Sequence, residues 1–337
     1  MKKEAMLFEK LKDESVHCFL CAHHCRIKNN DFGFCGVRQN IDQTLYTHAY
    51  GVSIARHVDP VEKKPLYHFL PGTSAYSIGT AGCNFHCGFC QNWQISQAAE
   101  RIRSGEDYGE PLMPEEVVEQ ALANGCRSIA YTYTEPTIFF EYAYDTSRLA
   151  RDRGLRNIFV TNGFMTEKAL VTIAPWLDAA NVDLKAWQEK YYRDVCRGRL
   201  KPVLETIRRM KELNIWVEVT TLLIPGENDS PGDLQGIAAF IADLDADIPW
   251  HISAFHPTYR FMDRPATGIE SLKQAREIGR EAGLRYIYLG NVPVENHTFC
   301  PRCGEALIER KGRMVERAGL RKGRCAACGG HIPGVWK

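Results

Sequence analysis

Three thiols stand within eight residues at Cys83-Asn84-Phe85-His86-Cys87-Gly88-Phe89-Cys90, spaced C-x3-C-x2-C, with no fourth cysteine beside them. A cubane iron–sulfur cluster takes one thiolate per iron, normally four. Three protein ligands leave one iron open to a substrate atom, and an open coordination position separates a catalytic metal site from a closed structural one. Two plainer readings compete: a zinc site completed by His86, or a cluster whose fourth thiolate comes from elsewhere in the chain. Gly79, Gly82 and Gly88 surround the thiols. Glycines let a loop curl tightly and turn backbone N–H groups toward sulfur.

Two further cysteine groups flank this one. Cys300-x2-Cys303 and Cys325-x2-Cys328 match a zinc ribbon or rubredoxin-like knuckle, with Gly304, Gly329 and Gly330 following the pairs. Four thiolates close a tetrahedral site, and zinc is the expected ion ahead of iron. Arg302, Arg310, Lys311, Arg313, Arg317, Arg321, Lys322 and Arg324 make this end basic. That charge admits nucleic acid, but a solvated face around a structural clip is the favoured reading. At the other end, Cys18, Cys21, Cys25 and Cys35 stand among His17, His23 and His24. They read either as a zinc clip or as a second, closed iron–sulfur cluster passing electrons inward. Cys126 and Cys196 have no partner at ligand spacing and read as ordinary cysteines.

These groups need elements to hold them. Apolar runs predict strands at Ala75–Thr80, Arg127–Thr132, Arg156–Thr161, Ala179–Leu184, Trp216–Leu223 and Trp250–Phe255, with a seventh at Arg285–Leu289. Helical spacing at 114–122, Lys201–Leu213 and Asp233–Leu244 alternates with them. Strands alternating with helices imply a parallel sheet, so the expected fold is α/β, a partial (βα)6 TIM-like barrel. Small cysteine-rich modules stand at its two ends. The expected regions are 1–71, 72–295 and 296–337.

In such barrels function gathers at the C-terminal ends of the strands. The cluster loop follows the first strand. The second strand ends in Thr132-Tyr-Thr-Glu135-Pro136, where the Glu135 carboxylate could hold an ammonium. The third ends in Thr161-Asn162-Gly163. The fourth ends in Asn181-Val-Asp183-Leu-Lys185, with Asp183 and Lys185 on one side by strand alternation. Asp183 could accept from ribose hydroxyls and Lys185 could meet a carboxylate. The sixth leads to His256, which could lie beside adenine. Each residue has a plain alternative: Asp183 paired with Lys185, Glu135 capping a helix, His256 packed in a loop. The residues name no general acid or base.

The triplet, its glycines and the strand before them resemble the radical S-adenosylmethionine superfamily. The resemblance implies a [4Fe-4S] cluster on Cys83, Cys87 and Cys90, with S-adenosyl-L-methionine chelating the open iron through its amino and carboxylate groups. One electron then breaks a C–S bond, giving methionine and a 5′-deoxyadenosyl radical that abstracts hydrogen from a substrate. Residues about 72 to 260 are similar to glycyl-radical-enzyme activases, through the cysteine loop, Glu135-Pro136, Thr161-Asn162-Gly163, Asp183-Leu184-Lys185, Ile224-Pro225-Gly226 and His256. That likeness implies cofactor contacts from Asp183, Lys185 and His256. Where activases carry Gly-Gly-Glu-Pro, this chain has Tyr133-Thr134-Glu135-Pro136, and Val160 stands where some carry an aspartate for a cation site. Over its whole length the chain resembles the radical enzyme of the AmmeMemoRadiSam system, through Cys18–Cys35, Tyr67-His-Phe-Leu-Pro71 and His331-Ile-Pro-Gly-Val-Trp336. The resemblances imply an electron donor such as flavodoxin or ferredoxin, a protein or small-molecule substrate, and partner proteins of that system.

Composition sets the outer bounds. With 42 basic and 41 acidic residues the net charge is +1, which gives no global case for nucleic acid or membrane binding. No apolar run approaches membrane-spanning length, and the N-terminus lacks the apolar core of a signal peptide. Thirteen cysteines clustered at ligand spacings argue for metal ligation in a reducing cytoplasm rather than for disulfides. The expectation is therefore a cytoplasmic radical enzyme, an activating-enzyme-like oxidoreductase whose substrate is open. A glycyl-radical protein is one candidate; a small molecule, peptide or RNA is the alternative. The rival class is a non-catalytic iron–sulfur electron carrier or nucleic-acid-binding metalloprotein.

Overall fold

Parallel strands covered on both faces need apolar runs without alternation, and the middle of the chain supplies them. The computed structural model describes every residue except Met1, Asp107 and Arg313, so Arg313 of the basic end lies outside the described residues. Eight strands form the main sheet: β1 (Ala55–Pro60), β2 (Ser74–Gly79), β3 (Ser128–Tyr131), β4 (Arg156–Thr161), β5 (Ala179–Asp183), β6 (Trp216–Leu223), β7 (Trp250–Ala254) and β8 (Ile287–Gly290). They lie side by side in chain order. β2 to β8 run parallel, and β1 lies antiparallel on the outer edge of β2. Among the described residues β1 and β8 do not pair, so the barrel is partial. It has seven parallel strands, the seventh being the one expected near Arg285–Leu289.

Helices α1 (Pro114–Ala123), α2 (Phe140–Asp152), α3 (Glu167–Ile173), α4 (Leu200–Glu212), α5 (Pro231–Asp245) and α6 (Ile269–Glu281) return the chain between successive parallel strands. Each buries one stripe. In α4 that stripe is Leu200, Val203, Ile207 and Met210, at the three-to-four-residue spacing of one helix face. Ser230 accepts from the Asp233 N–H and Pro231 follows it, which starts α5.

The lower half of the barrel is filled by the chain itself. Val61, Leu66, Phe69 and Leu70 pack against Ala75, Ala130, Ile158 and Ala179 of the strands. The Leu70 N–H donates to the Val335 carbonyl (2.7 Å), and the Val335 N–H donates to that of His68 (2.7 Å). The two motifs Tyr67–Pro71 and His331–Trp336 therefore meet as a short parallel ladder. Tyr67 and His68 donate backbone N–H groups to the Glu218 carboxylate (2.9 and 2.8 Å), and Asn181 Nδ2 donates to the Pro65 carbonyl (2.8 Å). The barrel is closed at this end and open at the other.

The expected break at residue 71 does not fall where the chain leaves the sheet. β1 belongs to the sheet and residues 61–70 to the barrel interior, so residues 2–54 form the N-terminal part outside it. That part carries two three-stranded antiparallel sheets. After β8, Thr298–Phe299, Ala306–Lys311 and Met314–Glu316 make another.

Candidate functional site

The cysteine loop hangs from the C-terminal end of β2. A Cβ on Gly82 (φ +98°) would lie 2.7 Å from Val37 Cγ1 and 3.0 Å from the Cys35 carbonyl oxygen. One on Gly88 would lie 2.7 Å from Phe261. Only glycine admits both approaches. The loop is fixed from a second side by a turn at Tyr192–Cys196: the His86 N–H donates to the Cys196 carbonyl (3.0 Å) and the Gly88 N–H to that of Val195 (3.2 Å). The Phe85 N–H reaches Cys83 Sγ (3.3 Å), and Cys90 Sγ lies 3.3 Å from Ser96 Oγ. Such contacts stabilise negative sulfur.

Cys196 is not an isolated cysteine. It is fully buried, and its carbonyl accepts from the His86 N–H beside Cys87. The neighbouring Cys196 thiol and the Lys185 ammonium favour the Cys87 thiolate and hold that thiol below its ordinary range against burial. Burial pushes the thiols of Cys83 and Cys90 up.

The thiols open on a cavity of about 510 Å³ inside the upper barrel. Its wall includes Glu135, Asn162, Asp183 and Lys185, four of the five residues expected from the sequence. Lys185 Nζ pairs with Asp183 Oδ2 at 2.8 Å. Burial would lower the Lys185 pKa, but Asp183 and Cys87 raise it well above its usual value, so the ammonium is retained. Glu135 is almost wholly buried, and β3 and β4 are braced through it. Its Oε1 accepts from Thr137 N (3.0 Å), Thr137 Oγ1 (2.6 Å) and Thr161 Oγ1 (2.7 Å), and its Oε2 from Asn162 N (2.8 Å). Asn162 continues the brace: its Nδ2 donates to Asn84 Oδ1 (2.8 Å), beside Cys83, and its Oδ1 accepts from Phe164 N (2.9 Å).

His256 does not join them. β7 ends at Ala254 and Phe255 turns into the core, its N–H held by Thr267 Oγ1 at 2.8 Å. The following residue, His256, is exposed and does not line the cavity. Ser253 and Asn291 line the wall on this side instead.

Sequence reasoning missed one side of the cavity wall, where Lys63, Lys64 and Tyr133 line the space and Asp59 holds them from behind. Asp59 Oδ2 accepts from Lys64 Nζ (2.7 Å) and Tyr133 Oη (2.6 Å), and Asp59 Oδ1 from Lys63 Nζ (2.9 Å). Burial would raise the Asp59 pKa, yet Lys64, Tyr133 and Lys63 hold it well below the carboxylate range. Nothing in the exposed, charged sequence around Asp59 marks it as part of a site. The buried Thr220 hydroxyl has no hydrogen-bond partner among the described residues. An orphaned hydroxyl, a retained ammonium and a carboxylate beside three thiols are the groups that a polar, charged cofactor needs. A larger groove, about 1130 Å³, runs along α3 and α4, and no thiol lines it.

The three cysteine groups gather to different degrees. Cys300, Cys303, Cys325 and Cys328 have all four sulfurs within 4.8 Å of one another, with Cys300–Cys328 and Cys303–Cys325 at 3.7 Å. Tetrahedral bonds of about 2.3 Å place thiolates about 3.8 Å apart, so this set fits one ion. Among the described residues no three thiols of either other group are so tightly drawn. A cubane sets its thiolates wider than a single ion does, each one bond outside an iron corner.

A model of the radical SAM superfamily matches residues 77–236. Uncharacterized protein MJ0808 of Methanocaldococcus jannaschii is 44% identical over 336 residues, 98% of each chain. The isethionate sulfite-lyase activating enzyme of Oleidesulfovibrio alaskensis is 27% identical over 199 residues, 56% of this chain and 63% of its own. Among solved structures, a domain of pyruvate-formate lyase-activating enzyme from Bacteroides vulgatus is 17% identical with a TM-score of 0.43, over 49% of this chain and 99% of that one.

Proposed function

The chain belongs to the radical SAM superfamily, and from that premise we propose that Cys83, Cys87 and Cys90 hold its [4Fe-4S] cluster and that the cavity beside them takes S-adenosyl-L-methionine. Bound together, those groups supply a one-electron cleavage to methionine and a 5′-deoxyadenosyl radical able to abstract hydrogen. One observation carries the reading: three thiols border a polar cavity at the strand ends. Lys185 and Asp183 are the proposed partners of the cofactor's charged and hydroxyl groups. Glu135 and Asn162 act one layer back, fixing the loop that carries Cys83. His256 is left without a role. Zinc is the proposed ion of the C-terminal quartet, where it closes a structural site.

The substrate is presented at the open end, since residues 61–70 fill the other. A glycyl-radical protein is the first candidate, supported by the likeness to an activating enzyme. The second is a small molecule or peptide side chain, favoured by Lys63, Lys64 and Tyr133 in the cavity wall. RNA has only the basic C-terminal end in its favour. Anaerobic reconstitution with S-adenosylmethionine and dithionite tests the reading: 5′-deoxyadenosine should form. Its absence from protein with a reducible cluster would refute the proposal. A glycyl radical signal on a partner protein would decide between the two candidates.

A further inference from the structure

The N-terminal cysteines and the cluster loop are joined by a column of aromatic rings. His23 stands between Cys21 and Cys25, Phe34 precedes Cys35, and His86 precedes Cys87. The ring centroids of His23 and Phe34 are 4.1 Å apart, and those of Phe34 and His86 are 4.6 Å apart. Both flanks of Cys83 are touched as well. His23 Nε2 donates to the Asn84 carbonyl at 2.8 Å, and the Cys35 carbonyl sits where a Cβ on Gly82 would have to go. One or two residues on each side thus separate the thiol groups, on the order of 10 Å at one Cα step of about 3.8 Å each.

The four N-terminal thiols, like the triplet, are not drawn into a single-ion set as the C-terminal quartet is, among the described residues. Their surroundings suit an anionic centre. The Phe34 N–H donates to Cys25 Sγ (3.5 Å) and Arg38 Nη1 to Cys18 Sγ (3.5 Å). The Arg38 guanidinium is buried and also pairs with Glu141. A cation so deep is stable only among negative partners.

We propose that Cys18, Cys21, Cys25 and Cys35 hold a second, fully ligated [4Fe-4S] cluster that exchanges single electrons with the centre at Cys83, Cys87 and Cys90 across the His23–Phe34–His86 column. With every iron capped by thiolate, this centre has no position for S-adenosylmethionine, so its task is transfer. A low-potential one-electron donor of the flavodoxin or ferredoxin class reduces it, and the electron moves on to the triplet's cluster. No bond forms or breaks in that step. A zinc clip would draw the sulfurs to the spacing of the C-terminal quartet and could pass no electron. The metal assignment stands apart from the proposed reaction; the exchange rests on it.

The test uses the full chain, reconstituted anaerobically with iron and sulfide. The Cys83→Ala/Cys87→Ala/Cys90→Ala variant should keep about four sulfides per chain and a dithionite-reducible half-spin EPR signal, as one cubane requires. Bound zinc in place of sulfide would overturn the assignment. Should that variant not fold, the unaltered chain decides: about eight sulfides support two clusters and about four refute the second. For the exchange, the reduced unaltered chain should show a broadened EPR spectrum, unlike the sum of the triple variant and Cys18→Ala/Cys25→Ala. A strictly additive spectrum would overturn it. Retained second-cluster signals without any 5′-deoxyadenosine would refute the proposed reaction while supporting the N-terminal site.

Discussion

Glu218 on β6 accepts four hydrogen bonds, from Tyr67 N, His68 N, Trp216 Nε1 and His251 Nε2. Two residues further along the same strand, the buried hydroxyl of Thr220 has no partner among the described residues. The first lies at the closed floor of the barrel, the second in the open cavity. The floor spends its polar groups on one another: His68 Nε2 accepts from Tyr288 Oη (2.7 Å), Tyr288 meets Thr298 (2.8 Å), and Arg310 donates to Thr298 (2.9 Å). The mouth keeps thiols and hydroxyls available and holds Tyr133 at a φ of +67°, a conformation a bulky residue adopts only under constraint. Arg310 Nε and the Tyr286 hydroxyl at the floor also lack partners among the described residues, so what marks the mouth is an unpartnered hydroxyl standing beside thiols in a cavity.

Substitution at the two ends should therefore fail differently. Cys87→Ala removes a proposed cluster ligand without touching the floor. 5′-Deoxyadenosine should disappear, well beyond the roughly 10–100-fold loss typical of removing an outer partner, while circular dichroism stays that of the intact fold. Full product yield from Cys87→Ala would end the distinction. Glu218→Ala is the converse. It strands two backbone N–H groups and an imidazole, so stability should fall by about 3–5 kcal/mol, read from the urea midpoint. Cluster absorbance per folded chain should be retained.

How the two ends could be read from sequence also differs. The parallel strands were legible within two residues because β-branched, uninterrupted apolar runs leave little else to be. The mouth followed, since Asp183 and Lys185 sit where a strand of that length must end. β1 was not legible: of Ala55-Arg-His-Val-Asp-Pro60 only Asp59 is buried, the pattern of an edge strand blunted by charge. The floor was invisible for another reason. His68 and Pro333 bond across 265 residues, and no local pattern encodes such a pairing. His256 went astray because extending β7 by one residue, to Phe255, hid the turn that Thr267 imposes there.

The floor should also carry a pH dependence of its own, centred on His68. Burial drops the His68 pKa to about 4; Nδ1 donates to the Pro333 carbonyl (2.9 Å) and Nε2 accepts from Tyr288, which fixes the neutral ring. Unfolded, the imidazole titrates near about 6.5. Between these values the unfolded chain binds a proton that the folded chain refuses. The His68 contribution is thus complete above about 6.5 and is lost as pH falls toward about 4, by at most roughly 3 kcal/mol. Urea midpoints of the unaltered chain and His68→Asn should converge over that window as pH drops. Parallel curves would show that His68 does not resist protonation.

Cys196 tests where floor ends and site begins. It is buried like a floor residue, yet it favours the thiolate of Cys87, a proposed cluster ligand, as a thiol donor would. A donor to thiolate stabilises the more negative, reduced state of a cluster, so its loss makes reduction harder. Cys196→Ala should lower the potential of the triplet's cluster and slow 5′-deoxyadenosine formation by about tenfold, the low end of outer-partner effects. Cys196→Ser keeps a donor of nearly the same size and should restore most of both. Packing alone would give the opposite ranking: alanine would loosen the Tyr192–Cys196 turn without moving the potential, and a buried serine hydroxyl would be no better. The potential, more than the rate, therefore separates a thiol that tunes the cluster from one that fills space behind it.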